Sequence, residues 1–150
     1  MATLSEQDWR IRLHVYCHFV DHERPPTVAE TARTFTIPDD EARRAYRRLH
    51  EGHALVLESG ADTVRMANPL SAVPTPYRVH VRGRRLWANC AWDSLGIPAM
   101  LHADARIEAD LAPSGEAATY AIVDGRLEAD GGVVHFLVPF RRWYDDLIHT

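Results

Sequence analysis

The segment Leu86-Trp87-Ala88-Asn89-Cys90-Ala91-Trp92-Asp93-Ser94-Leu95-Gly96-Ile97-Pro98-Ala99-Met100-Leu101 holds one of the chain's two cysteines, a carboxylate three residues after it, and an apolar run behind both. If it turns helical at about Cys90, the i to i+3 spacing of Cys90 and Asp93 places thiol and carboxyl on one face, one turn apart. A cysteine in a first helical turn meets the positive end of the helix dipole. That end favours the thiolate, the form that attacks soft electrophiles and binds soft metals. Free cysteine also packs as a small hydrophobe, so the spacing alone leaves a buried, inert thiol as the alternative. Pro98 is expected to bend or end the helix.

Upstream, Ser5 to about Asp21 reads as a first helix, with Trp9, Leu13, Tyr16 and Val20 as its inward stripe and Cys17 packed beside them. Thr27-Val28-Ala29-Glu30 is a capping-box signature for a short second helix through Phe35. A third starts after Pro38, with Asp39, Asp40 and Glu41 in its first turn and Ala42, Ala45, Tyr46 and Leu49 facing inward, and stops at Gly52. Strands Ala54–Glu58 and Thr63–Ala67 around a Ser59–Asp62 turn make a hairpin. Three helices and a hairpin spell a winged helix-turn-helix over residues 1–67.

Such domains often read DNA with the third helix, and Arg43, Arg44, Arg47 and Arg48 form its outer face. The acids at the N-terminal end of that helix would repel phosphate there. An arginine face paired with those acids is the reading we favour over DNA binding.

A proline-rich linker, 68–76, precedes a second unit, 77–150. In it Tyr77–Val81 and Arg84–Ala88 around Arg82-Gly83 form a hairpin leading into the Cys90 helix. The strands Ala105–Leu111, Ala118–Val123, Arg126–Glu128 and Val133–Val138 follow, and a helix over Phe140–Thr150 closes the chain. The fold class is therefore α+β. His14, His18 and His22 line one face of the first helix; a solvated stripe is favoured over a Ni²⁺ or Zn²⁺ site because the sequence places no third ligand type beside them. His135, in an apolar run, is read as a core or interface residue.

The chain has 150 residues, 46% of them hydrophobic, and a formal charge of −4. Nine arginines face eleven acids before Ser71 and eight face ten after it, so neither half is basic enough for bulk nucleic-acid binding. With no long apolar stretch and a polar, acidic N-terminus, neither membrane span nor signal peptide is expected, and the location read from this is cytoplasmic. In a reducing compartment Cys17 and Cys90 would be free thiols.

The string Asn89 to Leu101, preceded by Asn68-Pro69-Leu70-Ser71-Ala72-Val73-Pro74-Thr75-Pro76-Tyr77-Arg78-Val79, resembles the organomercurial (alkylmercury) lyase family, and Val134 to Asp146 does so more weakly. The resemblance implies a winged-helix-like domain followed by a small mixed catalytic domain, and protonolysis of carbon–mercury bonds. It implies Cys90 as a mercury-capturing thiolate, Asp93 as proton carrier, and Trp87, Trp92 and Leu95 as apolar walls of the substrate pocket. No cofactor is implied; mercury(II) is the bound product, and the partners are a small organomercurial or other thiophilic ligand and small-molecule thiols. The family's second catalytic cysteine is expected at or just past Thr150, which leaves three readings open: a piece of a longer lyase, a short relative that binds thiophilic ligands without turnover, or a scaffold recruited to other chemistry. A sheet edge left exposed there would be a surface for homodimerisation. The competing reading is a non-catalytic thiol- or metal-binding protein, or a winged-helix DNA-binding regulator.

Overall fold

The computed structural model describes residues 4–111, 114–136 and 138–145. Helix α1, Glu6–His22, opens on a capping box in which Ser5 Oγ accepts from the Asp8 N–H and the Asp8 carboxylate accepts from the Ser5 N–H. The same carboxylate is buried and accepts from Arg48 Nη2 at 2.8 Å, fixing the first helix to the third. With Asp8 anchored, α1 buries Ile11, Val15 and Phe19. The expected stripe is thus out of phase, with Trp9 and Leu13 51% and 64% exposed. Because the apolar residues of α1 are spread around its circumference between polar ones, periodicity permits either face; the Asp8–Arg48 pair selects one. Cys17 is exposed rather than packed.

Helix α2, Val28–Phe35, starts on the Thr27–Glu30 capping box. Helix α3, Asp39–Glu51, buries Ala42, Ala45, Tyr46 and Leu49, the positions its spacing predicts, and ends at Gly52. Eight strands follow: β1 Val56–Leu57, β2 Val64–Ala67, β3 Leu70–Ser71, β4 Tyr77–Val81, β5 Arg84–Ala88, β6 Ala105–Leu111, β7 Glu116–Val123 and β8 Arg126–Glu128. They form one sheet in the order β1-β2-β3-β5-β4-β6-β7-β8, with every neighbouring pair antiparallel. The fold is α+β.

Strand β3 lies inside the proline-rich stretch and pairs with β2 on one side and β5 on the other. The first hairpin and the later strands therefore share a sheet, and one apolar cluster runs from Phe19 and Tyr46 through Leu70 to Val79, Leu86, Ile97 and Ile107. The two-residue turns Arg82-Gly83 and Asp124-Gly125 have positive φ at both positions, the type I′ geometry that matches the twist of paired strands.

Helix α4, Ala91–Leu101, packs on the face of the sheet to which Val79, Leu86, Ala88 and Ile107 point. It continues through Pro98 rather than ending there, because Ile97 and Pro98 are buried and Met100 and Leu101 pack against the core beyond them.

After β8 the chain departs from expectation. No strand forms over 133–136, and Val133 is 96% exposed. Gly131 and Gly132, both at φ +124, turn the chain off the sheet after β8. His135 is accordingly exposed. A 3₁₀ helix covers Phe140–Asp145 in place of the first half of the expected terminal helix; residues 146–150 lie outside the described residues.

Candidate active site at the start of the fourth helix

Strand β5 ends at Ala88, and the chain reaches α4 through Asn89 and Cys90. The Asn89 N–H donates to the Pro69 carbonyl at 3.3 Å, and the Ala88 carbonyl accepts from Thr75 Oγ1 at 2.6 Å. These bonds bring the 68–76 stretch alongside the site. Cys90 has extended backbone, φ −149 and ψ 179, and is the N-cap of α4 rather than a member of its first turn. Its Sγ takes the role an N-cap oxygen usually has, accepting from the Asp93 N–H at 3.5 Å.

Thiol and carboxyl do share one face, as the spacing predicts, but the thiol is not the ready thiolate expected of a helix start. Burial pushes the Cys90 thiol above its ordinary value; the Asp93 N–H opposes this, and the negative charge of the nearby Asp93 carboxylate adds to it. Burial likewise raises Asp93, with the neighbouring Asn89 and Cys90 side chains acting the other way. Each of the two half-buried groups therefore resists carrying charge.

Polar side chains ring the pair. Ser94 Oγ donates to the Ala91 carbonyl at 2.6 Å, so its 2.7 Å contact with Tyr120 is one in which the phenol donates. Burial raises the Tyr77 and Tyr120 phenols, and charge on Cys90 would raise them further, which sets both hydroxyls in the field of the thiol. From α1, the Tyr16 hydroxyl donates to the Asn68 carbonyl at 2.7 Å, and Asn89 Nδ2 donates to Asn68 Oδ1 at 2.9 Å.

Of the three expected pocket walls, Leu95 is half-buried against the core beside the site. Trp92 is 57% exposed and meets the Phe136 ring edge-on at 6.3 Å; Phe136 in turn stacks on Trp143 at 5.3 Å. It is a rim residue more than a wall. Trp87 is not part of the pocket. Leu86 and Ala88 point toward α4, so Trp87 between them faces the other side of the sheet, under the Arg78 guanidinium at 5.9 Å. Trp92 and Trp87 are equally apolar in the sequence; strand alternation and a helix start separate them.

The other expected sites resolve into ion pairs. Arg43 meets Asp40 at 2.7 Å, Arg44 meets Glu41 at 2.8 Å, Arg47 meets Asp62 at 2.7 Å and Arg48 meets Asp8 at 2.8 Å. Asp62, from the first hairpin, is a partner the helix alone could not reveal. His14, His18 and His22 follow one another along α1, the first two rings edge-on and the last two tilted, but the His18 side chain is only 10% exposed and its Nδ1 contacts the Arg24 carbonyl at 3.0 Å. Among the described residues no group of three or more His, Cys, Asp or Glu is placed to hold a metal ion. Cys17 opens on a groove between α1 and α2 with His14 and Phe35, a different face of α1 from Tyr16.

Sequence reading missed Tyr16, Asn68, Ser94, Tyr77 and Tyr120. Tyr16 carried a signal that pointed the wrong way, as a member of the misphased stripe. Tyr120 carried none, since only the sheet order brings β7 near α4.

A half-buried thiol and carboxyl sharing the start of one helix, on an antiparallel sheet, define a thiol–carboxyl site on an α+β scaffold. The sequence profile of the alkylmercury lyase family matches residues 70–148, more than half the chain and the whole Cys90–Asp93 segment. The chain belongs to that family. In structure it is similar to mercury-bound MerB2, with a TM-score of 0.69 and 24% identity over 84% of this chain and 60% of that one; at this identity the likeness establishes the fold. The chain thus spans about 60% of the length of that relative. No curated protein matches it in sequence. Among the described residues no helix is long and apolar enough to cross a membrane.

Proposed function

We propose that this chain cleaves carbon–mercury bonds by protonolysis, with Cys90 capturing the metal and Asp93 carrying the proton. The observation that carries the proposal is the hydrogen-bonded Cys90–Asp93 pair at the N-cap of α4, inside the segment matched to the family. Mercury is a soft ion that prefers sulfur. As the Cys90 sulfur bonds the mercury of R–Hg–X, X⁻ departs and the thiol proton passes to the neighbouring Asp93 carboxylate. A second thiolate then adds to mercury and weakens the Hg–C bond. The Asp93 proton goes to carbon, the Hg–C bond breaks, R–H leaves, and Asp93 is a carboxylate again with mercury(II) held between two sulfurs.

Burial supports this reading because it keeps the proton on the pair until the metal displaces it. Cys17 opens on another face of α1, and an added small-molecule thiol can supply the second sulfur. Residues 1–67, three helices and a hairpin, are read as a winged-helix-like unit joined through 68–76 to the lyase unit 77–150, supporting the site and not reading DNA. The ion pairing of all four α3 arginines supports that part. The test is release of benzene and inorganic mercury from phenylmercury with excess small thiol. Wild type should turn over, and both Cys90→Ser and Asp93→Ala should not; turnover retained by either variant refutes the assignment.

A further inference from the structure

We propose that Tyr120 is a positioning residue for Cys90, acting from β7 through Ser94 to hold the first turn of α4 on the sheet. This rests on the lyase reading for its consequence, but not for its geometry. Leu95, Ile97, Met100 and Leu101 tie the later turns of α4 to the core, while Trp92 in the first turn is exposed. Arg82, in the turn between β4 and β5, donates to the Leu101 carbonyl, so α4 runs back along the hairpin and its start lies over the Tyr77 end of β4. There the row facing α4 carries Tyr77, Ala109 and Ala118 on successive strands. The two alanines give the helix start little apolar surface to pack on.

A polar anchor stands in the next row. Val79, Ile107 and Tyr120 are cross-strand partners on β4, β6 and β7, so the Tyr120 ring rises from the sheet toward α4. Its hydroxyl meets Ser94 Oγ at 2.7 Å. Ser94 is 0% exposed, and both its donors point into the first turn: Oγ to the Ala91 carbonyl at 2.6 Å, and the N–H to the Cys90 carbonyl at 3.0 Å. Cys90 is thus held at its carbonyl by Ser94 and at Sγ by the Asp93 N–H at 3.5 Å. Hydrogen bonds run without a break from a strand of the sheet to the residue that meets mercury. A turn with few apolar contacts takes its position from such a buried link, and misplacement of a reacting group by about 1 Å can cost about a hundredfold in rate.

The test compares Tyr120→Phe, which keeps the ring and deletes the hydroxyl, with Ser94→Ala, which deletes its acceptor, both in a Cys17→Ser background. With phenylmercury and excess small thiol, each should lower kcat about tenfold, and the double variant should be no slower than the slower single one. Released from its anchor, the turn admits water. Alkylation of Cys90 by iodoacetamide, followed by intact mass, should therefore quicken severalfold, and its pH midpoint should fall toward the ordinary 9.0. Turnover and thiol reactivity then move in opposite directions. Val81→Ala, a core substitution at the other end of β4, should lower Tm and leave both unchanged. Alkylation unchanged in both variants, kcat unchanged from an active wild type, effects on kcat that multiply in the double variant, or the same shifts in Val81→Ala each overturn the inference. An inactive wild type removes the lyase reading instead, and alkylation still decides this one.

Discussion

Cys90 caps the helix that carries Asp93: the Asp93 N–H donates to Sγ across 3.5 Å, while the Asp93 carboxylate adds its negative charge to the burial that raises the thiol. One contact is structural and the other chemical, and substitution can separate them. In Cys90→Ser the hydroxyl is at least as good an N-cap acceptor as sulfur. Its thermal unfolding should match wild type within about 0.5 kcal/mol while mercury capture is lost. A large drop in Tm would show that the thiol's main role is packing.

The Cys90 thiol is raised above 9.0 by burial first and by the Asp93 carboxylate in addition. Replacing the charge in Asp93→Asn should therefore bring thiolate formation to lower pH, read as absorbance near 240 nm in a Cys17→Ser background. An unchanged or higher midpoint would mean that the carboxylate does not face the thiol in solution.

Turnover by the mechanism above needs one proton on the pair. The kcat/KM profile should be bell-shaped, with an acid limb above the ordinary Asp value of 3.8 and an alkaline limb above the ordinary Cys value of 9.0. Measured limbs at or below either value would contradict the burial that the structure gives both groups.

The Asp8–Arg48 pair should govern stability in acid. Burial acts to raise Asp8, but hydrogen bonds from Arg48 and Ser5 outweigh it, and the folded carboxyl lies below its ordinary 3.8. Its contribution is complete above about pH 4 and is lost as pH falls through the folded value. Arg48→Ala leaves a carboxylate that is 1% exposed without its partner, at a cost of about 3 kcal/mol near neutrality. The gap from wild type in urea melts should narrow in acid.

The arginine face of α3 should not bind DNA. With each guanidinium already paired, no salt-dependent affinity for duplex is expected at low salt, and Arg43→Ala or Arg47→Ala should change nothing in a mobility-shift titration. A slope of binding against salt that Arg47→Ala reduces would reinstate the regulator.

Much of this arrangement is legible in the sequence because local rules decide it. The capping boxes at Ser5 and Thr27, the inward face of α3, the type I′ turn at Arg82-Gly83 and the Cys90–Asp93 spacing all depend on residues within a turn or two of each other. What sequence reading misses is long-range. The face of α1 is chosen by a partner 40 residues away, the role of Trp87 by which side of the sheet α4 covers, and the Val133 run by strand pairing that two glycines prevent. Tyr16 and Tyr120 reach the site only once the sheet is assembled.

The most direct measurement is intact-mass analysis of the chain with one equivalent of phenylmercury, before and after addition of a small thiol, with benzene followed in the headspace. A phenylmercury adduct on Cys90 should persist without added thiol, then give benzene and a mercury(II)-bearing protein once thiol arrives. Absence of the adduct on Cys90, or equal benzene release from Cys90→Ser, would contradict it.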